Sequence, residues 1–325
     1  MSNIEIVGLG ALNIDRLYRV ERILDNGEAV VNEAKSFPGG SAANTTYGLA
    51  KLGVSTGYAG VIGDDAEGEI MLEDFRGVGV DTSPIRVKPG VKTGAALCLS
   101  DRQGKRSLYI APGANSLLTL DDLDLIYINR AKWLHISSFA DDSQLSVLLE
   151  LMDRLDSPVK LSFSPGVLQA TKELAILSPI LNRTHLLFVN QREIRHLTGE
   201  DVIAGAESCL KQGCHMVAVT LGKGTKLKLG SRTITAVCYI RDAENEYAVE
   251  SSSQDIVSEV DTTGAGDAFA TGFLYGLLQG KEPNECGCLG DTVARFSLTK
   301  LGAREGLPTL IELAQRYQQI YNQGL

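Results

Sequence analysis

The chain has 325 residues, of which 44% are hydrophobic and 22% charged, with a formal net charge of −9. That composition supplies enough apolar side chain for one large domain or two unequal ones with a sizeable core. The acidic balance excludes a protein that tracks nucleic-acid phosphates, which needs a basic face, and no run approaches the ~18 uninterrupted apolar residues of a membrane span.

Met1 to Leu12 lacks a basic leader, and Glu5 and Asp15 interrupt any signal-like run, so a cytoplasmic protein is expected. In chain order, Ile4 to Leu9 reads as a buried strand and Asp15 to Phe37 as extended chain without helical period. Ala43 to Leu52 reads as a helix, Ser55 to Ile62 as a strand and Ala66 to Arg76 as a helix. Lys92 to Ile110 is again extended, with the alternating run Ala95, Leu97, Leu99. Strands are expected at Trp133–Ser137, Val159–Phe163, Leu186–Asn190 and Met216–Leu221. Asp142 to Leu155 is a helix whose stripe is Leu145, Leu148, Leu149, Met152 and Leu155, capped by Asp142 or Ser143. A hairpin is expected from Thr225–Leu229 and Arg232–Val237 around Gly230, followed by an exposed loop or edge strand in the acidic stretch Arg241 to Gln254.

This alternation predicts a three-layer α/β/α fold with a mainly parallel central sheet. Residues 1–12, 38–91 and 111–325 would form the core. Residues 13–37 and 92–110 would form a small β lid. The six cysteines (Cys98, Cys209, Cys214, Cys238, Cys286, Cys288) are dispersed, and reduced thiols are expected rather than a metal site at Cys286 and Cys288.

The strongest chemical signal is Asp261-Thr262-Thr263-Gly264-Ala265-Gly266-Asp267, entered by a strand over Ile256–Val260 and left by a helix carrying Phe269, Phe273, Leu274 and Leu277. Small residues there let the amides of Gly264, Ala265 and Gly266 converge at a helix N-terminus, which is an anion cradle. Asp267, in the first turn, is positioned as a base for an attacking hydroxyl. A second signal is Gly39-Gly40-Ser41-Ala42-Ala43-Asn44, where paired glycines allow a ligand close to the backbone and Asn44 offers a donor and an acceptor. Asn13 and Asp15 follow the first strand, at the strand end where open α/β sheets hold ligands.

Together these elements resemble the two signatures of the ribokinase-like (PfkB) carbohydrate kinases. Asn190-Gln191-Arg192-Glu193 resembles that family's N-x-x-E element, and Thr220-Leu221-Gly222-Lys223-Gly224 its nucleotide turn. The order of the four covers essentially the whole chain. The resemblance implies an ATP-dependent kinase acting on a sugar hydroxyl, with Asp267 as base and Gly264–Gly266 as anion hole. It implies substrate contacts from Asn13, Asp15, Gly39, Gly40, Ser41 and Asn44, and nucleotide contacts from Asn190, Thr220, Gly222 and Gly224. Glu193 would serve Mg²⁺ through water. Asp261 and Thr263 would bind a monovalent cation such as K⁺, completed by carbonyls around Ser297 and Gly302.

Substrate identity stays open between a sugar and a nucleoside. Ribokinases usually carry Lys-Gly where this chain has Ser41-Ala42, and a carboxylate near Ser137 or Ser138. A nucleoside would need an aromatic face, for which Phe37, Tyr109 and Phe139 are the candidates. A non-catalytic sugar sensor is the remote alternative. Gly8-Leu9-Gly10-Ala11-Leu12-Asn13 only half-matches the dinucleotide fingerprint, and no P-loop motif occurs. The histidines His135, His185, His196 and His215 read as packing or surface groups. No nucleic-acid or membrane partner is expected, and an uncovered lid face would be an interface for a homodimer.

Overall fold

The computed structural model describes residues 4–103, 106–137, 139, 142–251 and 260–325, the side chain of Asp142 apart. Strands β1 (Ile6–Leu9), β4 (Thr56–Gly63), β5 (Ile85–Lys88), β8 (Trp133–Ser137), β9 (Lys160–Ser164), β10 (Thr184–Asn190), β11 (Met216–Leu229), β12 (Arg232–Asp242) and β13 (Glu246–Glu250) form one sheet. Its order is β13-β12-β11-β10-β9-β8-β1-β4-β5. The pairs from β11 through β5 are parallel, and β12 and β13 add antiparallel at one edge.

Alternate residues of the central strands enter two separate cores, which is the signature of a sheet covered on both faces. Val7 and Leu9, Leu187 and Val189, and Val217 and Val219 pack on one side. There they meet helices α4 (Asp142–Met152), α6 (Leu174–Arg183), α7 (Gln191–Thr198) and α8 (Val202–Lys211). Ile6, Leu186, Phe188 and Ala218 face the other side. Those meet α1 (Ser41–Lys51), α9 (Ala265–Leu278), α10 (Pro283–Ser297) and α11 (Leu310–Tyr321). Helix α2 (Ala66–Gly77) covers a third cluster beside β4, and the short helices α3 (Leu125–Ile128) and α5 (Gly166–Ala170) complete the set. The expected three-layer class is what the chain adopts.

A second sheet stands apart, with β2 (Asn13–Val20), β3 (Val31–Gly39), β6 (Gly94–Ser100) and β7 (Arg106–Ala111) in the order β3-β2-β6-β7. Leu108 and Tyr109 on its β7 edge are 61% and 60% exposed and point to opposite faces of the sheet.

Several boundaries differ from the sequence expectation. The strand Met216–Leu221 and the following hairpin arm are one continuous strand, β11, whose register against β12 breaks between Thr220 and Thr225. Gly222 and Gly224 in that break have φ of 59° and 112°, a bulge that bends the strand without ending it. Helix α4 stops at Met152, because Arg154 N–H turns back to Leu151 O at 2.9 Å, yet Leu155 still packs in the core. The acidic stretch contributes edge strand β13. Helix α4 already includes Ser143, one of its two expected caps, while the Asp142 side chain and the strand Ile256–Val260, except Val260 itself, lie outside the described residues. All six cysteines are buried thiols, and no helix among the described residues is long and apolar enough to cross a membrane.

Candidate active site

Parallel strands end with their carbonyl edges at one rim of the sheet, and α1 and α9 begin there, so side chains far apart in sequence meet. Helix α9 opens on Gly264, whose φ is 75° and whose Cβ, if present, would press on Ala303. Both conditions demand glycine. At Gly266 an added Cβ would meet no atom within 4 Å, because that backbone faces open cavity. Ala265 N–H donates to Thr262 O at 3.4 Å, a long bond that a better acceptor would displace.

Asp267, one turn in, is held at both oxygens from α1. The Ser41 hydroxyl donates to Oδ1 at 2.6 Å and the Asn44 amide nitrogen donates to Oδ2 at 2.8 Å. Burial pushes its carboxyl up to about 6, against Ser41, Asn44 and Arg304, which favour the charged form, and with Glu193, which opposes it. Asp15 on β2 is pushed up to about 7, chiefly by burial, with Arg304 opposing and Asp267 and Asp261 adding repulsion.

Asn13, Asp15, Gly40, Ser41, Asn44 and Asp267 form the polar end of a cavity of about 350 Å³. Arg106, Thr263 and Gly264 border it, and Leu108, Ile110, Phe139 and Leu168 supply an apolar wall. Four details bear on the expected roles. Gly39 does not line this cavity, because the Asp15 carboxylate occupies the space a Cβ would need. Gly40 is required by its φ of 98° and by the Ala11 carbonyl against it. Asn44 is engaged on both sides, since its Oδ1 accepts from Arg304 Nε at 2.9 Å. Asn13 likewise accepts from Asn115 Nδ2 at 3.0 Å.

On the other side of Asp267, Asn190, Thr220, Gly222 and Gly266 line an open cavity of about 640 Å³ together with Arg192, Arg195 and His196 of α7. Gly224 is not among them and packs against Thr235 instead. A smaller cavity of about 140 Å³ carries Ser41, Asn190, Glu193, Thr220, Gly266 and Asp267 on one wall, joining the two sides. Asn190 and Glu193 are a reciprocal cap: Asn190 Oδ1 accepts from the amides of Arg192 and Glu193 at 2.9 Å, and Glu193 Oε2 accepts from Asn190 N–H at 3.0 Å. Burial raises the Glu193 carboxyl, and its bonds to Asn190 oppose the rise.

Asp261 and Thr263 spend their side chains within the loop. Asp261 accepts from Thr263 N–H at 3.0 Å, from the Thr263 hydroxyl at 2.8 Å and from Gly302 N–H at 3.1 Å. Burial acts to raise its carboxyl, but those amide and hydroxyl donors prevail and hold it low. Arg106 of the second sheet donates to Thr262 at 2.8 Å and to Thr263, and its guanidinium stands 3.8 Å from Asp261. Of the three candidate aromatics only Phe139 lines the cavity; Tyr109 is exposed and Phe37 lies on Gly302. His135 is a core group bonded to Ser162 at 2.9 Å, the His185 and His215 rings meet at a 44° tilt with centroids 4.6 Å apart, and His196 accepts from Arg192 at 3.3 Å beside the open cavity.

The sequence matches the pfkB family carbohydrate kinase profile over residues 3–310. The chain belongs to that family. It is 37% identical over 268 residues to a sugar kinase of Archaeoglobus fulgidus, covering 82% of this chain and all of that one. It is 28% identical to the ribokinase of Staphylococcus aureus, covering 96% and 99% of the two chains. The crystal structure of a ribokinase from Thermotoga maritima superposes with a TM-score of 0.82 at 26% identity, covering 97% and 99%. This pfkB-family chain is thus a phosphotransferase acting on a hydroxyl group.

Three polar residues of the pfkB-family site, Arg304, Arg106 and Asn115, are not singled out by the sequence, and Ser137 is noted there only for want of a carboxylate. Arg304 is 5% exposed and touches Asn44, Gly39 and Asp74. Arg106 ties the second sheet to the loop before Asp267. Asn115 bonds both the amide and the carbonyl of Leu12, at 2.9 and 3.0 Å. Ser137 accepts from the Ala42 amide at 2.8 Å and so anchors the start of α1. None lies in a motif. Only a buried-charge signal was available, and Arg304 sits in a loop where exposure is the default.

Proposed function

We propose that the chain transfers the terminal phosphoryl group of ATP to a hydroxyl of a sugar, with Asp267 as general base and the Gly264–Gly266 amides as anion hole. The observation that carries this reading is the position of Asp267, which lines both the polar end of the cavity of about 350 Å³ and the small one of about 140 Å³ that leads, past Asn190, Thr220 and Gly266, to the larger open one. In the reaction the sugar hydroxyl oxygen attacks the terminal phosphorus, its proton passes to Asp267, and the bond to the bridging oxygen of the leaving diphosphate breaks. The backbone at Gly264, Ala265 and Gly266 receives the equatorial oxygens in a water-poor site, where each donor counts for more than in bulk solvent. With a carboxyl near 6, Asp267 is largely ionised at neutral pH yet basic enough to accept the proton.

Glu193 is a half-buried carboxylate, raised by desolvation, and it faces the same small cavity as Asp267. Among the described residues no three acidic, histidine or cysteine groups cluster for a metal. That arrangement suits Mg²⁺ held by phosphates and water, with Glu193 and Asn190 ordering the water. When bound, Mg²⁺ would neutralise charge on the bridging phosphates. The second cation expected at Asp261 and Thr263 would have to use backbone carbonyls, because Arg106 already faces that carboxylate.

The nucleoside reading draws on the apolar wall of Leu108, Ile110, Phe139 and Leu168, which would suit a base. Measuring ATP consumption over sugars, sugar phosphates and nucleosides separates the two. The highest kcat/KM on a sugar supports the proposal. A nucleoside ahead of every sugar replaces the substrate class, and binding without turnover replaces the enzyme by a sensor. The exposed β7 edge of the second sheet, with Tyr109 on it, would pair with a second copy, which sedimentation in solution tests as a dimer mass.

A further inference from the structure

The geometry points to Arg304 as the positioning residue that locks the Asn44 amide into the one orientation able to hold Asp267. This rests on the reading of Asp267 as base. Arg304 lies in the loop between α10 and α11 and is 5% exposed. Its Nε donates to Asn44 Oδ1 at 2.9 Å, one terminal nitrogen donates to the Gly39 carbonyl at 3.1 Å, and the other meets Asp74 of α2. The rings of Tyr47 and Phe75 flank the guanidinium at 5.1 and 5.2 Å, which fixes its plane.

A guanidinium can only donate and a carboxylate can only accept. Asn44 stands between one of each, so only one of its two amide orientations satisfies both neighbours. Oxygen must face Arg304 and nitrogen must face Asp267, where it donates at 2.8 Å. Without Arg304 the Asn44 oxygen loses its donor, and the Asp267 carboxylate alone is left to orient the amide. The Gly39 contact extends the same control, because Asp15 lies against Gly39. Charge reinforces the geometry. The ionisable groups that face Asp267 are Glu193 from α7, Asp15 from β2, Tyr58 from β4 and Arg304, and Arg304 is the cation of that set.

The test compares Arg304→Met, which keeps length and removes every donor, with Arg304→Gln, which keeps a neutral donor. Arg304→Met should lower kcat about 10–100-fold, the worth of one charge-assisted hydrogen bond. The KM values for ATP and sugar should stay within about threefold, because no substrate contact is removed. Arg304→Gln should recover most of the loss. The acid limb of kcat should move to higher pH in both, since each lacks the cation. Equal loss in the two variants with an unmoved acid limb would reduce Arg304 to a packing residue and overturn the proposal. Should Arg304→Met not fold, Arg304→Gln is combined with Asn44→Ala. Their losses must fall short of additive if both act through one amide, and full additivity overturns the proposal. Asp267→Asn is the separating control: near-normal turnover there removes the base reading itself, whereas an inactive Asp267→Asn beside a normal Arg304→Met removes only the role of Arg304.

Discussion

The two sides of the cleft are built on opposite plans. On the acceptor side, Asp267, Asn44 and Arg304 are tied to one another by hydrogen bonds within the protein, and Asn13 is tied to Asn115. On the donor side, Arg192, Arg195, His196 and Gly222 line an open cavity and are largely solvated. The difference follows from what each side must do. A proton acceptor has to be held in one place with a tuned charge, which needs burial and fixed partners. Phosphates carry strong charge of their own, and backbone amides with solvated cations suffice to receive them.

The comparison breaks most visibly at Asp267. Asp267→Asn should lower kcat ~10²–10⁴-fold, the usual worth of a positioned base, with modest change in KM. Steady-state assay against the best sugar substrate measures it. Gly264→Ala comes next. A side chain at φ 75° pressing on Ala303 must shift the loop that presents the anion-hole amides. Strain of ~1–3 kcal/mol is expected there, appearing as at least a tenfold fall in kcat together with a lower Tm.

The same division explains what the sequence made legible. Strand and helix alternation, the run Asp261–Asp267 and the glycines before Ser41 are local patterns, and family, fold class and enzyme class follow from them. Arg304 and Asn44 are 260 positions apart, and their bond leaves no local trace. The paired glycines were legible as a place of close approach, but what approaches Gly39 is the protein's own Asp15 rather than a ligand. The N-x-x-E element carries two meanings at once, a helix cap and a face on the cavity, and sequence alone reports only one. The bulge at Gly222 and Gly224 misled for a related reason. Two glycines in a row of polar residues look like a strand's end, yet the chain resumes pairing with β12 at Thr225.

Burying two carboxyls on the acceptor side has a stability consequence of definite sign. Asp15 and Asp267 have ordinary values near 3.8 that rise to about 7 and about 6 in the fold. Each therefore prefers to be folded when protonated. Their contribution is fully present below about pH 3.8 and is lost as pH rises through about 6 to 7. The ligand-free protein should show a falling contribution to Tm between pH 5 and pH 8. Asp15→Asn should flatten that fall and melt above the parent at pH 8, by several degrees on a scale of ~2–4 °C per kcal/mol. A Tm difference between variant and parent that does not change with pH would show that Asp15 is not protonated on folding.

The smallest effect belongs to the donor side, and it sharpens the comparison because it separates capping from ligand binding. Asn190→Ala removes the acceptor for the amides of Arg192 and Glu193 at the start of α7 and should cost ~1 kcal/mol. Asn190→Asp keeps that cap and should restore stability, or exceed it, because a carboxylate also suits a helix N-terminus. Toward the nucleotide the two variants should diverge in another way. Asn190→Asp sets a negative charge beside the incoming phosphates and should raise the KM for ATP more than Asn190→Ala does, although it is the more stable protein. Calorimetry and steady-state kinetics on the same pair read both quantities. If KM instead followed stability across the two, α7 would matter only as a folded helix, and the donor side would have no polar role at Asn190.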